Sequence, residues 1–389
     1  MQATRDSFPD VLRGFALLGI AIVNIQYFAV DSSIGFEAAA QTPANDFANA
    51  FVVLLFQSKF FLLFSFLFGY SSSYVVGIQR MNSSRWLGRA IGLILLGILH
   101  FLLLFHGDIL FVYGLFAIAL IPFLFRDVDY LQRLAKRILI SFGAILLTLS
   151  LLAIAGEQFP GQNSATFDVA DGSPSTLNST LADGTFWAAI APRFEQWLDY
   201  IFLAILIQGP LIFAAFLLGL AVSKRKGLGS GANPAIMLRL AKWGIGIGLP
   251  LQLVSVLLFW VVWHSDPRPI GLELLALSLN YATSPVLAAG YLGLLWMVSE
   301  RFSRLSLLAA AGRHSLTIYL MQSAVFAALF SSWGAGLFGA LEPPELIALA
   351  AISWLLLSLL ALLNLRLSGR GPLEILLSRF SKLFQRRAG

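Results

Sequence analysis

The 389-residue chain has no cysteine, four histidines and only 12% charged residues. Without thiols there can be no structural disulfides, thiolate metal sites, iron–sulfur clusters, palmitoylation or cysteine nucleophiles. Any chemistry therefore rests on His, carboxylates, hydroxyls or Lys. A soluble domain is about half apolar and about a quarter charged. Here hydrophobic residues reach 58%, which excludes a water-soluble globule along with disordered, collagen-like and disulfide-scaffold classes. The sequence also lacks zinc-ligand spacing of His and carboxylate, so no metal is expected, and it lacks a Gly-x-Ser-x-Gly elbow. The glycines at 227–231 have no following Lys-Ser or Lys-Thr and so do not form a phosphate loop. No internal repeat marks the inverted halves of a transporter.

Long apolar runs are abundant. A membrane-crossing helix needs about 20 mostly apolar residues, and ten such runs are predicted, over 11–30, 57–78, 87–105, 109–125, 138–155, 197–223, 243–263, 271–299, 308–330 and 346–365. They predict an all-α, polytopic integral membrane helix bundle. The first run carries Arg13, has no basic leader and is read as a retained span. With a cytoplasmic amino terminus, every Lys and Arg except Lys59, Arg193 and Arg268 falls on the inner half. This positive-inside bias predicts both termini in the cytoplasm. It also explains the net charge of +6 without nucleic acid as a partner. Acidic residues lean outward, at Asp31, Glu37, Asp46, Glu157, Asp168, Asp171 and Asp183.

Residues 1–370 are thus read as one transmembrane unit with a hydrophilic outer insert over 157–196, which includes a short aromatic helix near Trp187. Residues 371–389 form a cytoplasmic amphipathic tail. After Gly371 and Pro372, a stripe of Leu373, Leu376, Leu377, Phe380, Leu383 and Phe384 is predicted to lie along the inner leaflet as an anchor.

Polar side chains inside spans are costly and mark either sites or buried networks. Arg13 and Asn24 are eleven residues apart, about 16 Å along one helix face, and Arg89 and His100 repeat that spacing. The duplication points to a polar passage, although inner-leaflet anchoring by Arg13 and Arg89 and helix-tying by Asn24 and His100 explain each residue singly. Lys59, His106 and Asp108 lie at outer helix ends. Lys59 is expected to meet a carboxylate such as Asp108, and His106 to be interfacial. Arg313 and His314 at the inner end suit phosphate or lipid headgroups, and Gln322 and Asn280 suit interhelical hydrogen bonds. Small residues at Ser65, Gly69 and Ser73, and at Gly244 and Gly248, permit close helix approach.

Three ordered segments carry a resemblance. They are Asp10-Val-Leu-Arg13-Gly14 through Asn24; Lys59-Phe-Phe-Leu-Leu-Phe-Ser65-Phe-Leu-Phe-Gly69 followed by His100 and Gly107-Asp108; and Gly312-Arg-His-Ser-Leu-Thr-Ile-Tyr319-Leu-Met-Gln322 with Gly371-Pro372-Leu-Glu374. Together they resemble the YeiB-like bacterial membrane family, a domain of unknown function. That family is similar in turn to transmembrane acyltransferases such as heparan-glucosaminide acetyltransferase and the bacterial surface-sugar O-acylating enzymes. The resemblance implies a multi-pass protein of the bacterial inner membrane that moves an acyl group from acyl-CoA to a sugar, lipid or small-molecule acceptor. In the O-acylating group a histidine base follows the first-span arginine; here Asn24 stands in that region, and asparagine takes no proton.

The catalytic set is then His100 as base, Asn24 as oxyanion donor and Asp108 on the outer acceptor side. Arg13, Arg85 and Arg89 would meet the CoA phosphates, and Lys59, Asp10 and Gln322 would contact substrate. Membrane lipids are partners in any case, and the oligomeric state is open. A carrier or flippase using the same polar track, and a non-catalytic scaffold of the same fold, are the competing readings.

Overall fold

A computed structural model describes residues 6–31, 42–76, 83–157, 176–302, 305–365 and 369–385. The described residues form sixteen α-helices and no strand. Helix α1 (Phe8–Asn24) continues into the short α2 (Gln26–Ala29). A broken second span follows, α3 (Pro43–Leu55) and α4 (Phe60–Val76), then α5 (Ser83–Leu103), the short α6 (Leu110–Ala119) and α7 (Val128–Glu157). Helix α8 (Thr176–Asp183) lies in the outer insert. Helix α9 (Ile190–Leu203) joins α10 (Gly209–Lys224) through a five-residue π turn, Ala204–Gln208. The long pair α11 (Pro234–Trp263) and α12 (Ile270–Arg301) comes next, then α13 (Ser306–Arg313), α14 (Ser315–Phe330), α15 (Pro343–Leu365) and α16 (Pro372–Leu383).

Among the described residues eight segments are long and apolar enough to cross a bilayer, and Leu110–Ala119 and Ser315–Phe330 are shorter apolar helices. The ten predicted runs each have their helix, and the chain is a multi-pass membrane protein. Periodicity misplaced the interruptions. The second span begins at Pro43, behind a Thr42 side chain that accepts from the Asn45 N–H, and breaks where Ser58 takes φ 67°. The ninth run is two helices that meet at His314. Trp187 sits in the turn between α8 and α9 rather than in a helix. Residues 158–175 of the insert, and Arg5, Glu37, Arg80, Arg304, Arg366, Arg386 and Arg387, lie outside the described residues.

Contacts sort the helix ends into two faces. At one, Lys224 donates to the Arg126 carbonyl (2.9 Å), Arg225 pairs with Asp129 (2.8 Å), the Ser230 N–H donates to Asp6 (2.7 Å) and Arg313 reaches Asp10 (3.4 Å). At the other, His264 meets Asp46 (3.2 Å), the Gly271 N–H donates to Glu157 (2.8 Å) and the Ser332 N–H donates to the Leu181 carbonyl (2.9 Å). The described basic clusters share the first face and acidic Asp46 and Glu157 the second, which is the polarity the charge pattern requires.

In hydrocarbon, helices gain little from hiding leucine, because lipid tails are as apolar, so association depends on close packing. A Cβ on Gly244 would meet the Gly290 backbone, and one on Gly248 would meet Leu287 at 2.9 Å. Helices α11 and α12 therefore touch through backbone. Helices α4 and α10 do the same at Gly69 and Phe216, reinforced by the Ser73 and Ser223 hydroxyls.

Helix α16 departs from the anchor expected of it. Leu376 and Leu383 face outward, but Leu377 is buried. Leu377, Phe380 and Phe384 lie against α5, where Gly88 and Gly92 leave room for them. Glu374 then locks α16 in place by accepting from the Leu316 N–H (2.6 Å) and the Thr317 hydroxyl (2.6 Å) at the start of α14. A carboxylate at a helix amino end answers its orphan N–H groups and its dipole. The amphipathic stripe has a protein partner.

Replacing Gly290 by Leu is expected to lower unfolding stability by about 1–3 kcal/mol through overpacking, measured by thermal unfolding in detergent. Gly246→Leu on α11, where an added Cβ meets nothing within 4 Å, is expected to leave it unchanged.

Candidate functional site

The link from α5 to α6 is only six residues long, 104–109, and a hydrogen bond clips it shut. His100 Nδ1 and Asp108 Oδ1 are 2.7 Å apart with both side chains almost wholly buried. A carboxylate can only accept, so the proton of this bond sits on Nδ1. The second Asp108 oxygen accepts from the Phe111 N–H (2.8 Å) in the first turn of α6. Gly97 on α5 makes room for this corner, since a Cβ there would lie 2.7 Å from Asp108 Oδ2. His100 Nε2 has no hydrogen-bond partner among the described residues, and the ring packs against Tyr319, with centroids 5.2 Å apart. The exposed carbonyls at the end of α5 are answered from α9: Arg193 donates to Leu102 and Leu103 (3.2 Å each) and to Leu104 (3.4 Å).

Beside this corner lies a cavity of about 400 Å³. Arg89, Ser315 and Leu377 line it towards the basic face, and His106, Gly107, Asp108 and Tyr200 towards the other. Its walls are largely aromatic, with Phe61 and Phe64 of α4, Tyr27, Tyr113 and Tyr281 among them; Asn24 and Gln208 add polar groups. Asn24, Arg89 and Asp108, three residues picked from sequence, thus face one space. His100 does not line it. The imidazole stands behind Asp108 and Tyr319, both of which do.

The arginines gather at the inner end. Arg89 lies over the Phe68 ring at 5.6 Å and within electrostatic reach of Arg13, Arg85 and Glu374. The Nε atoms of Arg85 and Arg89 are buried and have no hydrogen-bond partner among the described residues. Arg13 is tied to buried Asp10 at 2.9 Å, and Arg313 approaches the other oxygen of Asp10. Asp10 is therefore a clamp between α1 and α13 rather than a wall of the cavity. Gln322 reaches the Leu17 carbonyl (3.5 Å) as an interhelical tie and also lies outside the cavity wall.

Three expectations need correction. Lys59 does not meet Asp108: its ammonium donates to the Val53 carbonyl and to Gln252 Oε1, both at 2.7 Å, in a network extended by Asn280 (3.0 Å to Gln252). Neutral oxygens at the α3–α4 break satisfy the charge, while Asp108 is held by His100. His106 is not interfacial but buried, with its ring 5.0 Å from Tyr200. His314 is buried too; it accepts from Asn364 (3.0 Å) and bonds the Ala310 carbonyl (3.0 Å), so it does not face headgroups. Tyr319 was missed as a wall residue, because an aromatic at helical spacing reads as core; its only sequence signal is the Gly312–Gln322 segment that contains it. Among the described residues no group of three or more His, Cys, Asp or Glu could hold a metal ion.

Comparison with known proteins agrees with the YeiB-like part of the resemblance read from the sequence. Residues 222–383 match the family described as "Protein of unknown function (DUF418)". The chain is 28% identical over 386 residues to "Uncharacterized protein YeiB" of Escherichia coli (strain K12), covering 94% of this chain and 93% of that one. It is 28% identical over 392 residues to "Uncharacterized protein YxaH" of Bacillus subtilis (strain 168), covering 94% and 91%. No solved structure matches significantly.

Two histidines outside the spans should behave oppositely. The hydrogen bond from His264 to the Trp260 carbonyl, and then the charge of Asp46, raise its pKa above 6.5. The His264–Asp46 clip is thus at full strength below the ordinary histidine pKa and weakens as pH rises through the raised value. Burial, and then the charge of Arg193, push His106 down to about 3. In histidine-selective NMR between about pH 5 and 8, His264 is expected to titrate above pH 6.5 and His106 to stay flat. A titrating His106 would contradict its burial.

Proposed function

We propose that this YeiB-like membrane protein is an acyltransferase-like enzyme of the bacterial inner membrane, with both termini in the cytoplasm. In this reading it moves an acyl group from acyl-CoA to a hydroxyl or amine of a sugar, lipid or small-molecule acceptor. The observation that carries the reading is the His100–Asp108 pair, buried at 2.7 Å, with its carboxylate in the wall of a cavity that also holds Asn24 and Arg89. A fixed carboxylate beside a largely apolar space is suited to proton transfer.

Roles follow from position. Asp108 takes the proton from the acceptor as its oxygen or nitrogen forms a bond to the thioester carbonyl carbon. The tetrahedral oxyanion accepts from the Asn24 amide. Collapse breaks the carbon–sulfur bond, and the departing CoA thiolate recovers the proton from Asp108. His100, behind the wall, is a positioning residue that orients the carboxylate through Nδ1–H. Arg85 and Arg89, with the neighbouring charge of Arg13, meet the donor phosphates at the inner end, where buried guanidinium N–H groups still lack partners. Lys59, Asp10 and Gln322 support the helices around the site rather than touching substrate.

A second reading has its own support. The cavity extends from Arg89 and Leu377 at one end to His106 and Tyr200 at the other, as a translocation path for a small solute or lipid would.

Release of CoA from acetyl-CoA and longer acyl-CoAs by protein in lipid nanodiscs separates these readings, and a cysteine-free chain adds no thiol background to a thiol assay. Wild-type protein is expected to release CoA. Asp108→Asn and His100→Gln are expected to slow release by about 10²–10⁴-fold while remaining folded. Unchanged rates in both variants would remove the pair from the chemistry. Solute uptake into vesicles without any CoA release would favour translocation.

A further inference from the structure

The cavity has a thin wall on one side. Leu203 lines it and is also 51% exposed on the outside of the bundle. Leu203 adjoins the π turn Ala204–Gln208, of which Ala204, Ile207 and Gln208 also line the cavity. A π turn widens the helix and misaligns its side chains with the regular ladder, and such turns concentrate at functional sites. Gly107 is likewise exposed and part of the cavity lining. Leu203 and Gly107 are thus each both cavity lining and outer surface.

What lies outside that wall is hydrocarbon or its edge. Phe202 and Leu206, which flank Leu203, are both more than half exposed. An apolar band of this kind in a membrane protein faces lipid. Leu203 precedes Lys224 by 21 residues of near-continuous helix, about 31 Å at 1.5 Å per residue. With Lys224 on the inner face, Leu203 sits at the outer edge of a core about 30 Å thick. That is the depth at which the head groups of outer-leaflet lipids begin. Asp108 lies next to Gly107, just inside. The interior lining also favours an amphiphile: aromatic walls reward apolar burial, and Asp108, next to Gly107, and Gln208, in the π turn, add polar groups to it.

We infer that the acceptor is an outer-leaflet membrane lipid whose head group carries a hydroxyl. It enters sideways past Leu203 and the π turn, so that the hydroxyl comes to Asp108 while the acyl chains remain in the bilayer. This inference rests on the acyl-transfer reading for what happens next, and on the lateral opening alone for entry.

Entry is tested by photolabelling, independently of turnover. The probe is phosphatidylglycerol with a diazirine close to its head group, in phosphatidylcholine vesicles containing the full chain. Adducts are mapped by mass spectrometry. Wild-type protein is expected to carry adducts on interior peptides bearing Tyr27, Tyr113 or Tyr281 as well as on the lipid face at Phe202. Leu203→Trp is expected to cut interior adducts about tenfold by overfilling the opening and to spare those at Phe202. Leu203→Ala is expected to increase interior adducts, which keeps the test decisive should the tryptophan variant fail to fold. Leu206→Trp, outside the cavity wall, is expected to change neither. Labelling confined to the lipid face, or interior labelling indifferent to both Leu203 variants, would overturn lateral entry. CoA release measured on the same samples separates the two claims. Interior labelling without CoA release keeps lipid entry and removes acyl transfer, whereas CoA release onto a water-soluble acceptor with an unlabelled interior keeps acyl transfer and overturns the lipid acceptor.

Discussion

The hydrogen bond between His100 and Asp108 is the constraint on which the centre of this protein depends. A carboxylate buried in a bilayer-spanning bundle is tolerable only when its charge is answered by donors. Asp108 has two, the imidazole of α5 and a backbone N–H of α6, so one side chain holds two helices at a six-residue corner. Removing a partner from such a pair leaves an uncompensated charge and costs about 3–5 kcal/mol. The same bond decides which atoms meet the cavity: the carboxylate does, and the imidazole stands behind it. Arg193 secures the corner from outside by bonding the last carbonyls of α5.

Acidic residues perform a consistent task elsewhere. Near the basic face, Asp6 binds the loop before α11, Asp10 joins α1 to α13, and Glu374 seats α16 on α14. Each of these carboxylates is engaged in holding elements together. Arg85 and Arg89 on α5 retain buried Nε–H groups with no hydrogen-bond partner among the described residues. The bundle thereby gathers positive charge beside its cavity at the basic end, where the proposed anionic donor would arrive. With α16 docked and Leu377 in the cavity wall, the tail becomes part of the site rather than a tether.

Most of the topology was legible in the sequence because it follows from two one-dimensional signals, apolar run length and the side on which Lys and Arg fall. The site was legible only in part. Asn24, Arg89 and Asp108 stood out because polarity in lipid is conspicuous, and they do share one space. Pairing could not be read the same way. Charge logic sends Lys59 to a carboxylate, yet a backbone carbonyl and Gln252 satisfy it, and Gln252 is 193 residues away. His100 and Asp108 are separated by a helix end, so no helical period links them. Tyr319 and the stripe of α16 read as ordinary packing and as a lipid face, because the partners that give them meaning lie on α5. The glycines at 88 and 92 that admit α16 show their purpose only in three dimensions.

The central claim is that an acyl donor occupies the cavity with its phosphates at the arginines and its carbonyl at Asp108. The most direct measurement is an experimental structure of the protein with a non-reactive thioether analogue of acyl-CoA. The account requires density for the phosphates beside Arg85 and Arg89 and for the acyl end within hydrogen-bonding distance of Asn24 or Asp108. An analogue bound elsewhere on the surface, with the cavity empty or filled only by lipid chains, would contradict it.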